Sequence, residues 1–283
     1  MRPLRLALTL AVFAALPAVA RAQIPPSPSP SPSSSPSSVS DPCGSILSIV
    51  TRPTITTSVC TVRQRKVLLE TGYTNTTTTG RGGGYTASYP QALARFGSGD
   101  SQFEYDIVPP SANVVNFGGT RTSGTTDLGF GVKSELGYNA RASWGANAFV
   151  TIPSGSPGFT AGAAQYTGNF NWSYTVNPTI GLSGTLGFNS LAGLNVNNQV
   201  KRFFSFIPSI IVSAYYPANS YFFAEYTYFS QAGVGLGGRS LFDYGFVHDV
   251  GPHLQLDIEA GVQPTTLNGQ RLHYIGAGIS FMN

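Results

Sequence analysis

Alternating polar and apolar residues recur along this chain, and the stretches that carry them are joined by connections of two lengths taken in turn. After every second stretch comes a short one: Ser98-Gly99-Asp100, Tyr138-Asn139-Ala140, Asn177-Pro178-Thr179, Tyr216-Pro217-Ala218 and Val250-Gly251. The connections between them are longer and mostly rich in Gly, Ser, Thr and Asn, as in Thr76 to Ala87, Pro110 to Gly124, Pro153 to Gln165 and Ser190 to Arg202. An antiparallel sheet threaded this way collects its tight turns at one end and its loops at the other. Outer-membrane β-barrels have that asymmetry, periplasmic turns below and extracellular loops above, and a soluble sandwich has no reason to adopt it.

The stretches themselves read as strands. In Thr167–Asn189, Phe170, Trp172, Tyr174 and Val176 alternate with Asn169, Asn171, Ser173 and Thr175; past the Asn-Pro turn, Ile180, Leu182, Leu186 and Phe188 stand against Ser183, Thr185 and Asn189. Successive strand side chains point to opposite faces, so each run has one apolar and one polar face. The pattern predicts twelve strands, near 66–75, 88–97, 101–109, 125–137, 141–152, 166–176, 180–189, 203–215, 219–229, 239–249, 252–262 and 271–282. It is cleanest in Leu254, Leu256, Ile258, Ala260 and Val262 against Gln255, Asp257 and Glu259, and poorest where Ile207 and Ile211 share a face with Ser205, Ser209 and Ser213. In hydrocarbon every backbone N–H and C=O must be paired, so strands cross only as a ring without edges. Strands of ~9–11 residues are long enough to do so. The expected fold class is all-β, a transmembrane antiparallel up-and-down β-barrel of about 12 strands over 66–283. Its apolar faces would look at lipid, with Trp172, Tyr174, Tyr226, Tyr228 and Tyr244 as interfacial girdle candidates.

The N-terminus fits export. Arg2 and Arg5 precede an apolar run from Leu6 to Ala20, and Ala20-Arg21-Ala22 is an A-x-A cleavage site, so 1–22 is expected to be a signal peptide. Its loss removes three of the 16 basic residues, leaving 13 against 12 acidic ones and no basic patch that would suggest nucleic acid. Residues 23–42 form a Pro/Ser-rich linker with nothing to bury. The segment 43–65 carries Cys43 and Cys60, an even pair that reads as a disulfide in an exported protein; two cysteines alone make a poor zinc site. An even strand count expects both termini in the periplasm of a Gram-negative cell. Phe281, almost at the chain end, resembles the terminal aromatic that the barrel-assembly machinery reads, although Met282 and Asn283 follow it.

Charge on the lipid face is costly, so the charged residues of the strands should face inward. That places Glu70, Glu104, Asp106, Asp127, Glu135, Glu225, Asp243, Asp257 and Glu259 in the lumen, nine of the 12 acids, against Arg95, Lys133 and Arg141. Such a lining is either an acidic bore favouring cations or a plugged interior in which the groups pair with one another. Catalytic motifs are weak. His248 and His253 flank a turn and His273 starts the last strand, with no G-x-S-x-G element beside them. Gly82-Gly83-Gly84 lacks the strand-to-helix setting of a phosphate loop. No enzyme activity, metal or cofactor is expected.

Three short motifs point to a family. Tyr89-Pro90-Gln91-Ala92-Leu93-Ala94-Arg95-Phe96-Gly97 with Phe103-Glu104-Tyr105 resembles the "PxxLLRYG…ELR" hairpin of outer-membrane transporters associated with the MetA pathway of phenol degradation. Thr126 to Lys133 resembles its "GDLxxGxK" strand, with Thr126 departing from it, and Phe149 to Gly155 its "LxxPTG" exit, with Ser154 departing. The resemblance spans roughly Lys66 to Asn283 and implies a barrel passing hydrophobic or aromatic compounds; it brings no site residues with it. The combined expectation is an outer-membrane channel for passive passage of a small-molecule solute, surrounded by lipid. A plugged structural or surface-interaction barrel, a barrel hydrolase and a secreted β-sandwich on a stalk are the alternatives.

Overall fold

The computed structural model describes residues 41–80, 82–99, 102–195, 197–216 and 219–283. The predicted signal peptide and residues 23–40 of the linker lie outside the described residues. Among the described residues one short helix, α1 (Ile46–Ile49), precedes fifteen strands. They are β1 (Val67–Gly80), β2 (Gly84–Tyr89), β3 (Leu93–Gly97), β4 (Phe103–Val108), β5 (Ala112–Phe117), β6 (Thr120–Thr125) and β7 (Leu128–Tyr138). There follow β8 (Ala142–Ile152), β9 (Gln165–Asn177), β10 (Ile180–Leu194), β11 (Val200–Tyr216), β12 (Ser220–Phe229), β13 (Arg239–Gly251), β14 (Leu254–Val262) and β15 (Gln270–Met282).

Twelve of these close a ring. The order β1-β3-β4-β7-β8-β9-β10-β11-β12-β13-β14-β15 returns to β1 through a register that runs from Leu68 opposite Met282 to Gly80 opposite Gln270. All pairings are antiparallel, so the fold is the closed twelve-stranded barrel. The two chain ends of the ring are tied: Lys66 Nζ donates to the Asn283 carbonyl at 2.6 Å and the Val67 amide to Asn283 Oδ1 at 2.8 Å.

Strands β2, β5 and β6 were read from the sequence as loops, Thr76–Ala87 and Pro110–Gly124, and the structure corrects this. They are upward continuations of β3, β4 and β7 beyond a break, paired in the order β1-β2-β5-β6. Two of the breaks fall at proline, Pro90 between β2 and β3 and Pro109-Pro110 between β4 and β5. Proline has no amide hydrogen to give a ladder, which is why pairing stops there and resumes after it. The polar, Thr-rich composition that suggested loops belongs to strands extending past the apolar band.

The faces are inverted relative to a soluble protein. Ile258 (59% exposed), Phe188 (51%) and Phe170 (38%) look outward, as do Tyr174, Tyr226, Tyr228 and Tyr244, whereas Glu225, Asp243, Asn171 and Ser280 show no exposed surface at all. An exposed apolar belt of this extent has no place in water and suits lipid.

Asp127 lies at the loop end between β6 and β7, where its carboxylate accepts from the Gly155 and Ala161 amides, both at 2.9 Å. Burial works to raise its pKa, but the hydrogen bonds from Thr160, Ala161, Gly155 and Ser154 outweigh it and hold the group below the usual aspartate value. A depressed carboxylate contributes stability that is complete above the unfolded-state pKa and fades as pH falls through the folded one. Hydrogen exchange at Gly155 and Ala161, corrected for intrinsic rates, is therefore expected to stay slow from neutrality to about pH 4 and to accelerate below it. Uniform protection down to pH 2 would refute this.

Candidate functional site: the charged interior and the segment inside it

Residues 41–65, which carry the predicted disulfide pair, make their contacts with the inward-facing side chains of the barrel wall. These residues lie inside the barrel. The segment is closed by the Cys43–Cys60 disulfide, with a Cα–Cα distance of 5.3 Å. Cys43, Ile46, Ile49, Val50, Val59, Cys60 and Val62 form a small apolar core that includes Leu68 of β1 and Met282 of β15. Leu47 projects the other way, against an inward-facing cluster of Ile211, Phe223 and Val247 on β11 to β13.

The wall holds the segment mainly through carboxylates that accept from its backbone. Glu70 Oε2 takes the amides of Thr51 at 3.1 Å and Arg52 at 2.9 Å. Glu104 Oε2 takes that of Val62 at 2.6 Å. Across the bore, Glu225 takes the amides of Ile55 at 2.8 Å and Thr56 at 2.6 Å. Beside it, the Thr56 hydroxyl meets Ser209 Oγ at 2.6 Å, and the Thr57 amide donates to Thr185 Oγ1 at 3.0 Å. Charged acceptors make hydrogen bonds about twice as strong as neutral ones, so three glutamates suffice to anchor irregular backbone that has no ladder of its own.

Arg95 is the hub. Alternation on β3 turns it inward, and register places it opposite Asp106 of β4, itself beside Glu104, whose cross-strand partner is Lys133 of β7. Its guanidinium reaches Glu70 Oε1 at 2.8 Å, Glu104 Oε1 at 2.9 Å, and the carbonyls of Ile49 at 2.6 Å and Cys60 at 3.0 Å. Lys133 Nζ stands 3.8 Å from Glu104 and Asp106 Oδ1 4.0 Å from Arg95. The planar fork of five N–H donors is what allows one side chain to join two wall carboxylates to two segment carbonyls.

The remaining predicted lumen residues fall in four places. Glu135 pairs with Arg63 of the segment at 3.3 Å, and Arg63 also pairs with Asp41. Asp243 faces Glu225 across β12 and β13, and Asp257 and Glu259 follow on β14. Asp127 is taken up by the loop contact above, and Arg141 is exposed in the turn before β8. Around β8 to β10 the interior is neutral: Asn171 donates to Asn147 Oδ1 at 2.7 Å and accepts from Thr185 Oγ1 at 2.8 Å.

Sequence reasoning missed Arg52, Arg63, Thr56 and Leu47, because they lie in a stretch without periodicity. A signal was present in the imbalance of nine inward acids against three bases. Buried carboxylates need donors, and donors absent from the strands must come from elsewhere in the chain. The disulfide closes a loop over 17 positions, for which chain entropy gives about 3 kcal/mol. Cys43→Ser with Cys60→Ser is therefore expected to expose residues 41–65 to limited proteolysis while the barrel core stays resistant; equal resistance of segment and barrel would contradict it.

The three histidines lie apart, each in its own setting. His248 Nδ1 lies 2.8 Å from Ser220 Oγ, but Ser220 is only 4% exposed and closed to an incoming carbonyl. His253 Nδ1 contacts the Met282 carbonyl at 2.8 Å, and His273 is exposed on β15.

No protein family model matches the chain, and no curated protein sequence matches it either. Solved structures do. The COG4313 outer membrane channel from Pseudomonas putida F1 superposes with a TM-score of 0.59 at 12% identity, covering 80% of this chain and 98% of that one. The NanC porin superposes with a TM-score of 0.50 at 9% identity, covering 75% and 98% respectively. At these identities the likeness is one of fold: this chain shares its barrel architecture with an outer-membrane channel and a porin.

Proposed function

We propose that the protein is an outer-membrane channel for passive passage of small molecules, narrowed at its turn end by residues 41–65. The observation that carries this reading is the combination of a closed ring, an apolar exterior and an interior lined by Glu70, Arg95, Glu104, Asp106, Lys133, Glu135, Glu225, Asp243, Asp257 and Glu259. A ring without edges spans lipid, and ionisable groups inside it mark a water-filled path or its closure. The fold shared with a channel and a porin supports the same reading. The turn end faces the periplasm in it, with the Pro/Ser linker there after signal-peptide cleavage and insertion by the barrel-assembly machinery. The solutes implied by the family resemblance are hydrophobic or aromatic. A lining of carboxylates instead favours polar, positively charged ones.

Planar-bilayer recording tests the reading. The full chain is expected to give small, cation-selective currents, and a barrel lacking residues 41–65 several-fold larger ones. Silence from both would leave the plugged structural barrel, a reading favoured by the density of bonds between segment and wall. Anion selectivity would overturn the acidic path.

A further inference from the structure

Gly72 on β1 and Gly278 on β15 are cross-strand partners at the seam where the barrel closes. Two facing glycines weaken a strand pair, and in strands such positions mark the close approach of something else. Here the guanidinium of Arg52 lies against both, and a methyl group on either glycine would overlap it. Arg52 Nη2 reaches Asp257 Oδ1 and the Ala277 carbonyl, each at 3.3 Å, and Nη1 reaches Gln91 Oε1 at 3.3 Å. The Asp257 side chain is fully buried, and its Oδ2, without a hydrogen-bond partner, lies over Gly278. Next along β15, Gly276 leaves room for the Glu259 side chain. The wall therefore carries a notch with a glycine floor, carboxylates at its edge and a planar cation lying in it.

We propose that this notch is a solute subsite for guanidinium or similar planar organic cations, and that Arg52 is its resident competitor. The inference rests on the channel reading, since it gives that channel a substrate class. Its physical basis is that the fit is to the group and not to the segment: the contacts at Gly72, Gly278, Asp257, Ala277 and Gln91 all belong to the wall, and all reach only the guanidinium end of Arg52. A solute bearing such a group meets the same floor and acceptors once Arg52 withdraws.

The test uses full-length Arg52→Ala protein and methylguanidinium chloride as probe. Equilibrium binding in detergent is expected to be at least tenfold tighter in Arg52→Ala than in the unaltered chain, where the notch is filled. Adding Asp257→Asn or Gly278→Ala to Arg52→Ala is expected to weaken binding at least tenfold, the first by removing charge and the second by filling the floor. In bilayers the same probe should interrupt Arg52→Ala currents with the same order of sensitivities. Equal affinity in all four proteins, or none, overturns the notch. Binding that follows the expected order without current from any variant, the barrel lacking residues 41–65 included, upholds the notch and overturns the channel instead.

Discussion

Arg95→Met is expected to destabilise the protein by about 3–5 kcal/mol, the cost of removing one partner from a buried ion pair. The side chain is 1% exposed and holds Glu70 and Glu104 together with two carbonyls of the segment. Without it two carboxylates remain buried, close to each other, with no opposing charge between them except Lys133, 3.8 Å from Glu104. The measurement is denaturant unfolding in micelles, followed by the mobility difference between folded and unfolded barrels. A compensating Arg95→Met, Glu70→Gln, Glu104→Gln protein should recover most of the loss, because replacing a whole buried network costs far less than orphaning part of it. If Arg95→Met alone unfolds like the unaltered chain, the hub has been misassigned.

The second large effect lies on the opposite face of the wall. Ile258 is the central residue of β14 and 59% exposed. If that surface meets lipid, Ile258→Arg should cost about 2–4 kcal/mol of insertion free energy, as for a cation near the bilayer midplane. Glu259→Gln, one position along and facing in, should change insertion far less and should act instead on cation selectivity. Folding titrations into lipid vesicles separate the two. Comparable costs at both positions would mean that the lipid-facing surface has been placed wrongly.

The barrel was legible because its constraint acts on every strand alike. Residues such as Leu256 and Ile258 had to alternate with Gln255 and Asp257, since one side meets lipid and the other does not. Strands that run past the apolar band read as loops: Thr76 to Gly80 at the end of β1, and Asn113 to Phe117 beyond a proline break, lie where alternation no longer has a solvent to sort it. The site was legible by half. The wall carboxylates could be named from their face, but what they bind could not, because the donors at Thr51, Ile55, Thr56 and Val62 are backbone amides, and a main-chain N–H carries no residue type. The glycines at 72 and 278 were the other unread sign. Each looks like ordinary strand glycine until register makes them neighbours.

That same pair sets an order of events. Gly72 belongs to the first strand of the ring and Gly278 to the last, so the resting place of Arg52 does not exist while the two are apart. The segment precedes every strand in the chain, yet the cradle for its Arg52 side chain is complete only once the final strand lies beside the first. Seating of that guanidinium thus marks a closed ring, and a chain whose seam stayed open would be recognisable by an Arg52 side chain without its cradle.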